Sequence, residues 1–412
     1  MTDIEIEPQP WMAAPETRAV LDALRAGGAT VRFVGGCVRD AVAGRTISDI
    51  DLATEAPPDR VVELLTAAGL KAIPTGIRHG TVTAVSAGRA YEVTTLRHDV
   101  ETDGRHAVVA FTDDWEADAA RRDFTMNTLS LEPDGLLHDP FGGVADLRAG
   151  RVRFVGDPHQ RIAEDVLRLL RFFRFYAHYG TPPPDPDSLR ACREMAHLLP
   201  RLSAERVRVE LLKLLAAPDP AAVVRLMRDE GVLDHFLAHA TAIDRLARLV
   251  AIEAALGLND RLRRLAALLP VDADTARHLA QGLRLSNEER DRLVAMAEPD
   301  EAVTPGMDGP SRRRALYRLG ARTWADLVLV AWADGKADPS DADWRGLIAE
   351  SEGWVHPKFP LTGADVKRLG VAEGAAVGET LGAVESWWIA GDFRAGRKEC
   401  LARLEDLVGS AP

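Results

Sequence analysis

Hydrophobic and polar positions repeat with two different periods along this chain, and the change of period divides it. Through the first 150 residues, short runs with period-two alternation predict strands at 31–34, 47–53, 81–86, 90–96, 107–111 and 129–138. Among them, Glu16 to Ala26 has helical spacing, and "PPDRVVELLTAAGL" (57–70) reads as a helix begun by Pro57 and Pro58 and ended by Gly69. From Asp157 onward the strand signal fades. Amphipathic helical patterns run through 160–179, 187–198, 203–217, 219–231 and 241–256 and continue to the end of the chain. They are interrupted by two Pro-rich, turn-forming stretches, "GTPPPDPD" (180–187) and "EPDEAVTPGMDGPS" (298–311). The pattern predicts an α/β head followed by an all-α remainder.

The densest stretch is "FVGGCVRDAVAGRTISDIDLAT", residues 33–54. It reads as a strand, a Gly35-Gly36 turn, a short helix from Cys37 to Val42, a stop at Gly44 and a second strand from Ile47. On that strand Asp49 and Asp51 share one face, while Ile50 and Leu52 take the other. Neighbouring carboxylates repel unless a cation lies between them. Oxygen ligands of this kind suit Mg²⁺, which takes one or two carboxylates together with substrate phosphates. A Gly-rich turn opening a helix offers N–H groups as a phosphate cradle. Asp-Ile-Asp alone would read as a solvated edge strand. The cradle beside it favours nucleotidyl transfer, in which metal ions activate the attacking hydroxyl and neutralise the leaving pyrophosphate. Glu92, in "YEVTTLR", is a candidate third carboxylate and equally a solvent-facing strand position.

Two further motifs carry polar chemistry. "RRDFTMN", Arg121 to Asn127, can hold triphosphate oxygens and ribose hydroxyls, although alone it would read as an N-cap or a salt-bridged helix end. In "EDVLRLLRFFRFYAHY" (164–179), Asp165 and Arg168 are spaced i,i+3 on one expected helix face, with Arg171 a turn further. A carboxylate and a guanidinium in fixed relative position can read one edge of a nucleobase. The alternative is a salt-bridged polar face, but Arg174 and the rings of Phe172, Phe173, Phe175 and Tyr176 exceed what a solvated face needs.

Composition narrows the class. A length of 412 residues with 46% hydrophobic and 28% charged positions describes a globular protein of several domains. A net charge of −12 argues against bulk nonspecific binding of nucleic acid and leaves room for a local basic channel. No apolar run approaches a membrane span, and "MTDIEIEPQP" lacks the regions of a signal peptide, so a cytoplasmic protein with no membrane partner is expected. Cys37, Cys192 and Cys400 are odd in number and far apart. They read as reduced thiols, with no zinc site and no disulfide-linked partner.

Taken in order, these motifs resemble those of class II bacterial tRNA nucleotidyltransferases, the CCA-adding enzymes, which share their head with bacterial poly(A) polymerases. "GGCVRD" with "DID" is similar to the family's first motif, "RRDFTMN" to its second, "EDVLR" to its base-selecting E-D-x-x-R element, and "SAERVRVELLKLL" (203–215) to the helix that buttresses it. The four keep family order across roughly residues 30–215. "FPLTGADVKRLGVAEGAAVGETLGAV" (359–384) resembles a Gly-rich C-terminal stretch of some members. Val166-Leu167 departs from a Pro-Leu frequent in the family.

The resemblance implies a polymerase beta-like α/β nucleotidyltransferase head over 1–150. A neck over 151–217, a body over 218–298 and a tRNA-binding tail over 312–412 would follow, all helical. It implies that Asp49 and Asp51 bind catalytic Mg²⁺, with Glu92 as the candidate third carboxylate. Gly35, Gly36 and Arg39 would shape the phosphate cradle, braced by Asp40. Arg122, Asp123 and Asn127 would handle the triphosphate and ribose, and Asp165 and Arg168 would pair with an incoming cytosine or adenine. Arg171 and Arg174, with Arg148, Arg151, Arg153 and Arg161, become candidate contacts to RNA phosphates. The implied reaction is template-independent addition of C, C and A to the 3′ end of tRNA from CTP and ATP. Poly(A) polymerase is the alternative, but its relatives tend to carry a G-[RK]-[RK]-F-type element and a basic tail. Here "PTGIRHGTVTAV" (74–85) and "CLARLEDLVGSAP" stand instead. An enzyme adding only part of the CCA end is a further alternative. A catalytically idle RNA-binding module is disfavoured by the intact Asp49 and Asp51.

Overall fold

The period-two runs become strands because each has an apolar face that a neighbouring helix covers. A computed structural model describes residues 4–103, 106–270, 272–299 and 301–409. The chain forms two compact units, Met1–Ala238 and His239–Pro412. In the first unit, eight strands make one sheet in the order β1-β10-β9-β2-β3-β6-β5-β4. They are β1 (Ile4–Glu5), β2 (Val31–Val34), β3 (Asp51–Thr54), β4 (Lys71–Gly76), β5 (Thr81–Ser86), β6 (Arg89–Thr95), β9 (Ser130–Leu131) and β10 (Leu136–His138). β7 (Arg97–Asp103) and β8 (His106–Phe111) form a separate antiparallel hairpin.

Register decides which residues share a face. Phe33 lies across from Leu52, and Leu52 across from Val93. These three are buried in one core with Val20, Leu21 and Leu24 of α2 (Pro15–Arg25) and Val61 and Leu65 of α4 (Pro58–Ala67), while α1 (Pro10–Ala13) adds Met12. On the opposite face of the sheet, Val34 is across from Asp51, and Asp51 from Glu92 on the parallel strand β6. The short helices α3 (Gly36–Val42), α5 (Trp115–Ala120) and α6 (Gly143–Arg148) punctuate the head, and α7 (Pro158–Glu164), α8 (Leu167–Tyr179), α9 (Pro186–Met195), α10 (Ala204–Leu215) and α11 (Pro220–Asp229) follow it.

Several elements differ from the sequence reading. β3 begins only at Asp51, and 45–50 has no regular structure. Even so, Asp49 is exposed and Ile50 is buried, so the alternation that fixes the two faces persists ahead of the strand. The run 129–138 is two strands rather than one, and β4 is an edge strand whose exposed, polar pattern gave no strand signal. The expected helix 160–179 is two helices. Asp165 is in extended backbone between them, and its Oδ1 accepts from the Leu167 N–H at 3.1 Å, restarting the helix by a side-chain cap. Asp165 and Arg168 are therefore not on one helix face, which corrects the i,i+3 expectation.

The second unit is helical: α12 (Ile243–Leu256), α13 (Arg261–Leu268), α14 (Ala273–Gly282), α15 (Asn287–Ala297), α16 (Gly309–Gly335, broken at Gly320), α17 (Ala342–Glu352), α18 (Gly363–Arg368), α19 (Ala375–Ala390) and α20 (Arg397–Gly409). Its interior holds an ionic network. Glu253 accepts from Arg263 Nε at 2.8 Å and Arg264 Nε at 2.6 Å, while Asp326 accepts from Arg263 at 2.9 Å and from Arg292 at 2.6 Å. No helix among the described residues is long and apolar enough to cross a membrane.

Glu253 is fully buried between two arginines that are themselves buried. Removing one member of such a network leaves uncompensated charge and costs about 3–5 kcal/mol. Glu253→Ala should lower stability by that amount in urea denaturation followed by tryptophan fluorescence. An unchanged midpoint would show that the network carries no net stabilisation.

Candidate active site

The polar motifs of the first unit converge on one cavity of about 550 Å³. Gly35, Gly36 and Arg39 form one wall, Arg122, Asp123 and Asn127 a second, and Asp165, Arg168 and Arg171 a third. Arg97, Arg121, Leu167, Phe175 and Arg206 complete the lining. Nine residues singled out in the sequence therefore meet in one place, while Asp49, Asp51, Glu92 and Arg174 are not among its lining residues.

The cradle wall depends on glycine. Gly35 has φ +71, a left-handed conformation that L-residues rarely adopt. A Cβ there would lie 3.3 Å from Arg122 Nη1 and 3.8 Å from Asp51 Oδ2, so the bare backbone runs between the second motif and the carboxylates. Burial foremost, then the charges of Glu92 and Asp49, push the Asp51 carboxyl up to about 6, against the opposing pull of Arg122 and Arg39. The Asp51 side chain accepts no hydrogen bond among the described residues, whereas Asp49 accepts from the Ser48 hydroxyl at 3.1 Å and remains exposed.

A half-buried carboxylate with like charges beside it and no donor of its own fits a site for a cation. Yet no group of three or more His, Cys, Asp or Glu among the described residues is arranged to hold one unaided. Glu92 is exposed across the ladder from Asp51 and does not complete a closed set. The donor set is therefore a partial one, of the kind that substrate oxygens must complete.

The second motif is held from behind by Asp118, which sequence reading missed. It is buried, and accepts from Arg121 Nη2 at 2.7 Å, Arg122 Nη2 at 3.2 Å and the Arg97 N–H at 3.3 Å. Burial opposes its charge, but Arg122 and Arg121 hold it below the usual carboxylate range. Asp123 is buried as well. Its Oδ2 accepts from Arg171 Nε at 2.6 Å and its Oδ1 from Asn127 Nδ2 at 2.8 Å, and Asn127 Oδ1 accepts from Arg39 Nη1 at 2.7 Å. The loop carrying these residues is fixed from below. Thr125 donates to Asp146 at 2.7 Å, and Gly143 approaches so closely that a Cβ would meet the Thr125 carbonyl oxygen at 2.2 Å.

At the third wall, Asp165 and Arg168 are held separately. Arg206 Nη2 donates to both Asp165 oxygens, at 2.8 and 3.0 Å, and Arg168 Nη1 donates to Glu164 Oε2 at 2.6 Å. Arg206 and Glu164 are in the buttressing helix and the E-D-x-x-R element, yet neither was singled out, because residue type alone does not name a partner. Of the candidate phosphate contacts, Arg161 is corrected. It is buried and donates to Glu164 and to the carbonyls of Arg121 and Arg122, an interior brace with nothing to offer RNA. Arg174 is half-buried and ion-pairs with buried Glu210 at 2.9 Å. Arg148 is exposed, while Arg151 and Arg153 reach Asp146. The three cysteines are free and buried, and burial pushes the Cys37 thiol up to about 12.

Comparison with known proteins agrees with this geometry. Residues 31–153 match a family described as the poly A polymerase head domain, and 184–243 one described as a probable RNA and SrmB-binding site of polymerase A. The mitochondrial CCA tRNA nucleotidyltransferase 1 of Mus musculus is 35% identical over 396 residues, covering 91% of this chain and 86% of its own. A CCA-adding enzyme of Limosilactobacillus fermentum is 32% identical, covering 92% and 93%. The crystal structure of the Bacillus stearothermophilus CCA-adding enzyme in complex with CTP superimposes with a TM-score of 0.80 at 29% identity, covering 97% and 98%. The chain belongs to the family of the CCA-adding tRNA nucleotidyltransferases. Its head is the polymerase beta-like nucleotidyltransferase fold, and the remainder is mostly helical.

The Asp123–Arg171 pair has a consequence for stability. Burial works against the Asp123 charge, yet Arg171, Asn127 and the Phe124 N–H hold its pKa below the usual value. A depressed folded pKa contributes stability that is present above about pH 4, the unfolded value, and is lost as pH falls through the folded value. Asp123→Asn should lower stability at pH 7 by roughly 3 kcal/mol, since Arg171 loses its buried partner. It should also flatten the acid limb of the stability–pH curve. Identical acid limbs in denaturation series of both proteins would contradict the assignment.

Proposed function

We propose that this protein adds C, C and A to the 3′ end of tRNA, using CTP and ATP, in a Mg²⁺-dependent nucleotidyl transfer without a nucleic-acid template. The observation that carries this reading is the cavity in which a phosphate cradle, a ribose-side motif and a base-reading pair meet, with the Asp51 carboxylate beside the cradle. The relatives named above are CCA-adding enzymes over nearly their whole length, and their activity is the one carried to this chain.

In this reading the N–H groups of the Gly35-Gly36 turn, with Arg39 and Arg122, receive the triphosphate. Asn127 and Asp123 face the ribose, Asp123 chiefly by holding Asn127 in place. The base meets Asp165 and Arg168. The carboxylate accepts from the exocyclic amine of cytosine or adenine, and the guanidinium donates to the adjacent ring nitrogen. Uracil and guanine carry a carbonyl oxygen in place of that amine, so they leave Asp165 unmatched, and an unmatched charged group is costly. Arg206 and Glu164 keep the two reading groups at a fixed separation, which lets the protein serve as its own template. Asp49 and Asp51, together with substrate oxygens, would hold Mg²⁺, with Glu92 the candidate third carboxylate on the neighbouring strand; when bound, the ion would lower the pKa of the attacking hydroxyl and neutralise the pyrophosphate. In the transfer the tRNA 3′-hydroxyl gives up its proton to solvent and bonds to the α-phosphorus, while the bond from that phosphorus to the leaving pyrophosphate breaks.

We assign 1–150 to the nucleotidyltransferase head, 151–217 to the neck, 218–298 to the body and 312–412 to a tail that meets the tRNA. We assign the protein to the cytoplasm, one of the compartments that hold tRNA. Poly(A) polymerase activity is not favoured. Continued elongation on any RNA benefits from a long basic track, and a net charge of −12 supplies little of one.

Products on tRNA ending at the discriminator base, resolved on a gel, test this reading. CTP alone should add two nucleotides, CTP with ATP three, and extension should then stop. Long ATP-only ladders on oligo(A), with no CTP incorporation on tRNA, would instead mark a poly(A) polymerase. Asp51→Ala should reduce transfer by roughly 10²–10³-fold or more, the scale of losing a group that stabilises transition-state charge, with the head still folded. Arg168→Ala should raise UTP and GTP misincorporation about ten-fold. Wild-type turnover in the first variant would remove Asp51 from the metal site, and wild-type fidelity in the second would reduce Arg168 to a structural ion pair.

A further inference from the structure

Helix α8 is tied to the walls of the cavity at more than its base-reading end. Its last residue, Tyr179, donates through its hydroxyl to Asp40 Oδ1 at 2.7 Å. Asp40 is on the cradle helix α3, where its two oxygens also accept from Arg39 Nε at 3.1 Å and Arg39 Nη2 at 3.0 Å. Arg39 Nη1 continues to Asn127, Asn127 to Asp123, and Asp123 back to Arg171 on α8. A closed ring of hydrogen bonds thus leaves α8 at Arg171 and returns to it at Tyr179, eight residues and about 12 Å along one rigid element.

The Tyr179 ring is held as firmly as its hydroxyl. The Arg39 guanidinium is 4.6 Å from the ring centroid and that of Arg45 is 4.1 Å away. Arg45 also donates to the His178 carbonyl at 2.5 Å. Two cations against one ring are each attracted by its π-face. Burial raises the Tyr179 pKa despite the nearby Arg39, so the hydroxyl remains a donor at neutral pH.

We propose that Tyr179 is a positioning residue for the nucleotide triphosphate: by closing this ring it fixes Arg39 and the Gly-Gly cradle relative to the base-reading end of α8. The inference rests on the proposed function. Arg39 is the shared member, because it meets the cradle, the second motif and the tyrosine at once. Without the Tyr179 hydroxyl, Asp40 keeps only Arg39 as a side-chain partner, and Arg39 is left to be held by Asn127 and the flanking rings, without an anchored carboxylate behind it. The triphosphate then meets a cradle that must be ordered at the moment of binding. The base-reading pair is fixed independently, by Arg206 and Glu164, so base choice is untouched.

The test compares the full-length wild type with Tyr179→Phe, which keeps the ring and removes only the hydroxyl. Equilibrium titration with CTP and ATP should show affinity falling about five- to ten-fold for both, the scale of one typical net hydrogen bond. The preference for CTP over UTP should stay at its wild-type value, and the thermal midpoint should fall by no more than a few degrees. The double variant Asp40→Asn with Tyr179→Phe should bind no more weakly than Asp40→Asn alone, because the hydroxyl acts through Asp40. Wild-type affinity in Tyr179→Phe, a change in base preference, or additive losses in the double variant would each overturn the proposal. A wild type that binds neither CTP nor ATP would fail earlier, and would refute the functional reading itself.

Discussion

The buried contact between Asp123 and Arg171 is the constraint on which the cavity depends. Asp123 belongs to the loop after α5 in the head, and Arg171 to the helix that follows the head. Away from water, the charge on Asp123 is tolerable only because a guanidinium, an amide and a backbone N–H all donate to it. That requirement fixes the distance between two walls that are 48 residues apart in sequence. Glu210 takes up the other side of Arg171, at 4.0 Å, so the arginine cannot turn away from the cavity.

From this contact the polar order spreads in both directions. Asn127 passes it to Arg39 and the cradle, and Asp118 performs a parallel service for Arg121 and Arg122. The acids involved are buried behind the arginines, which turn their remaining donors toward the cavity. A chain with a net charge of −12 can in this way present a locally cationic pocket to a triphosphate. Asp51 is the exception, a carboxylate beside the cradle that accepts no side-chain hydrogen bond among the described residues, and burial foremost, then Glu92 and Asp49, raises its pKa despite Arg122 and Arg39. Holding Asp165 and Arg168 by separate partners has a further effect. The two groups that would read a base do not neutralise each other, and both keep an edge for a ligand.

Much of this was legible in the sequence, for physical reasons that differ by element. The outward placement of Asp49 and Asp51 followed from burial of Ile50 and Leu52, and it survives even where the chain at Asp49 is not a regular strand. The Gly35-Gly36 cradle was legible because few other residues permit that turn. The break at Asp165 was hidden, since apolar spacing continues across it and the cause is a side chain capping the Leu167 N–H while bound to Arg206. Arg161 was misread for a similar reason. An arginine donating to buried carbonyls and one waiting for a phosphate look alike in sequence, and only the tertiary acceptors tell them apart. β4 escaped because an edge strand need not alternate, and Tyr179 because a ring between two guanidiniums leaves no local pattern.

The most direct test of this arrangement is a crystal structure of the protein with CTP and Mg²⁺. The cytosine amine should lie within hydrogen-bonding distance of the Asp165 carboxylate, with the ring nitrogen facing Arg168. The triphosphate should rest on the Gly35-Gly36 turn, between Arg39 and Arg122 and beside Asp51. A nucleotide bound outside this cavity, or with its base turned away from Asp165 and Arg168, would contradict it.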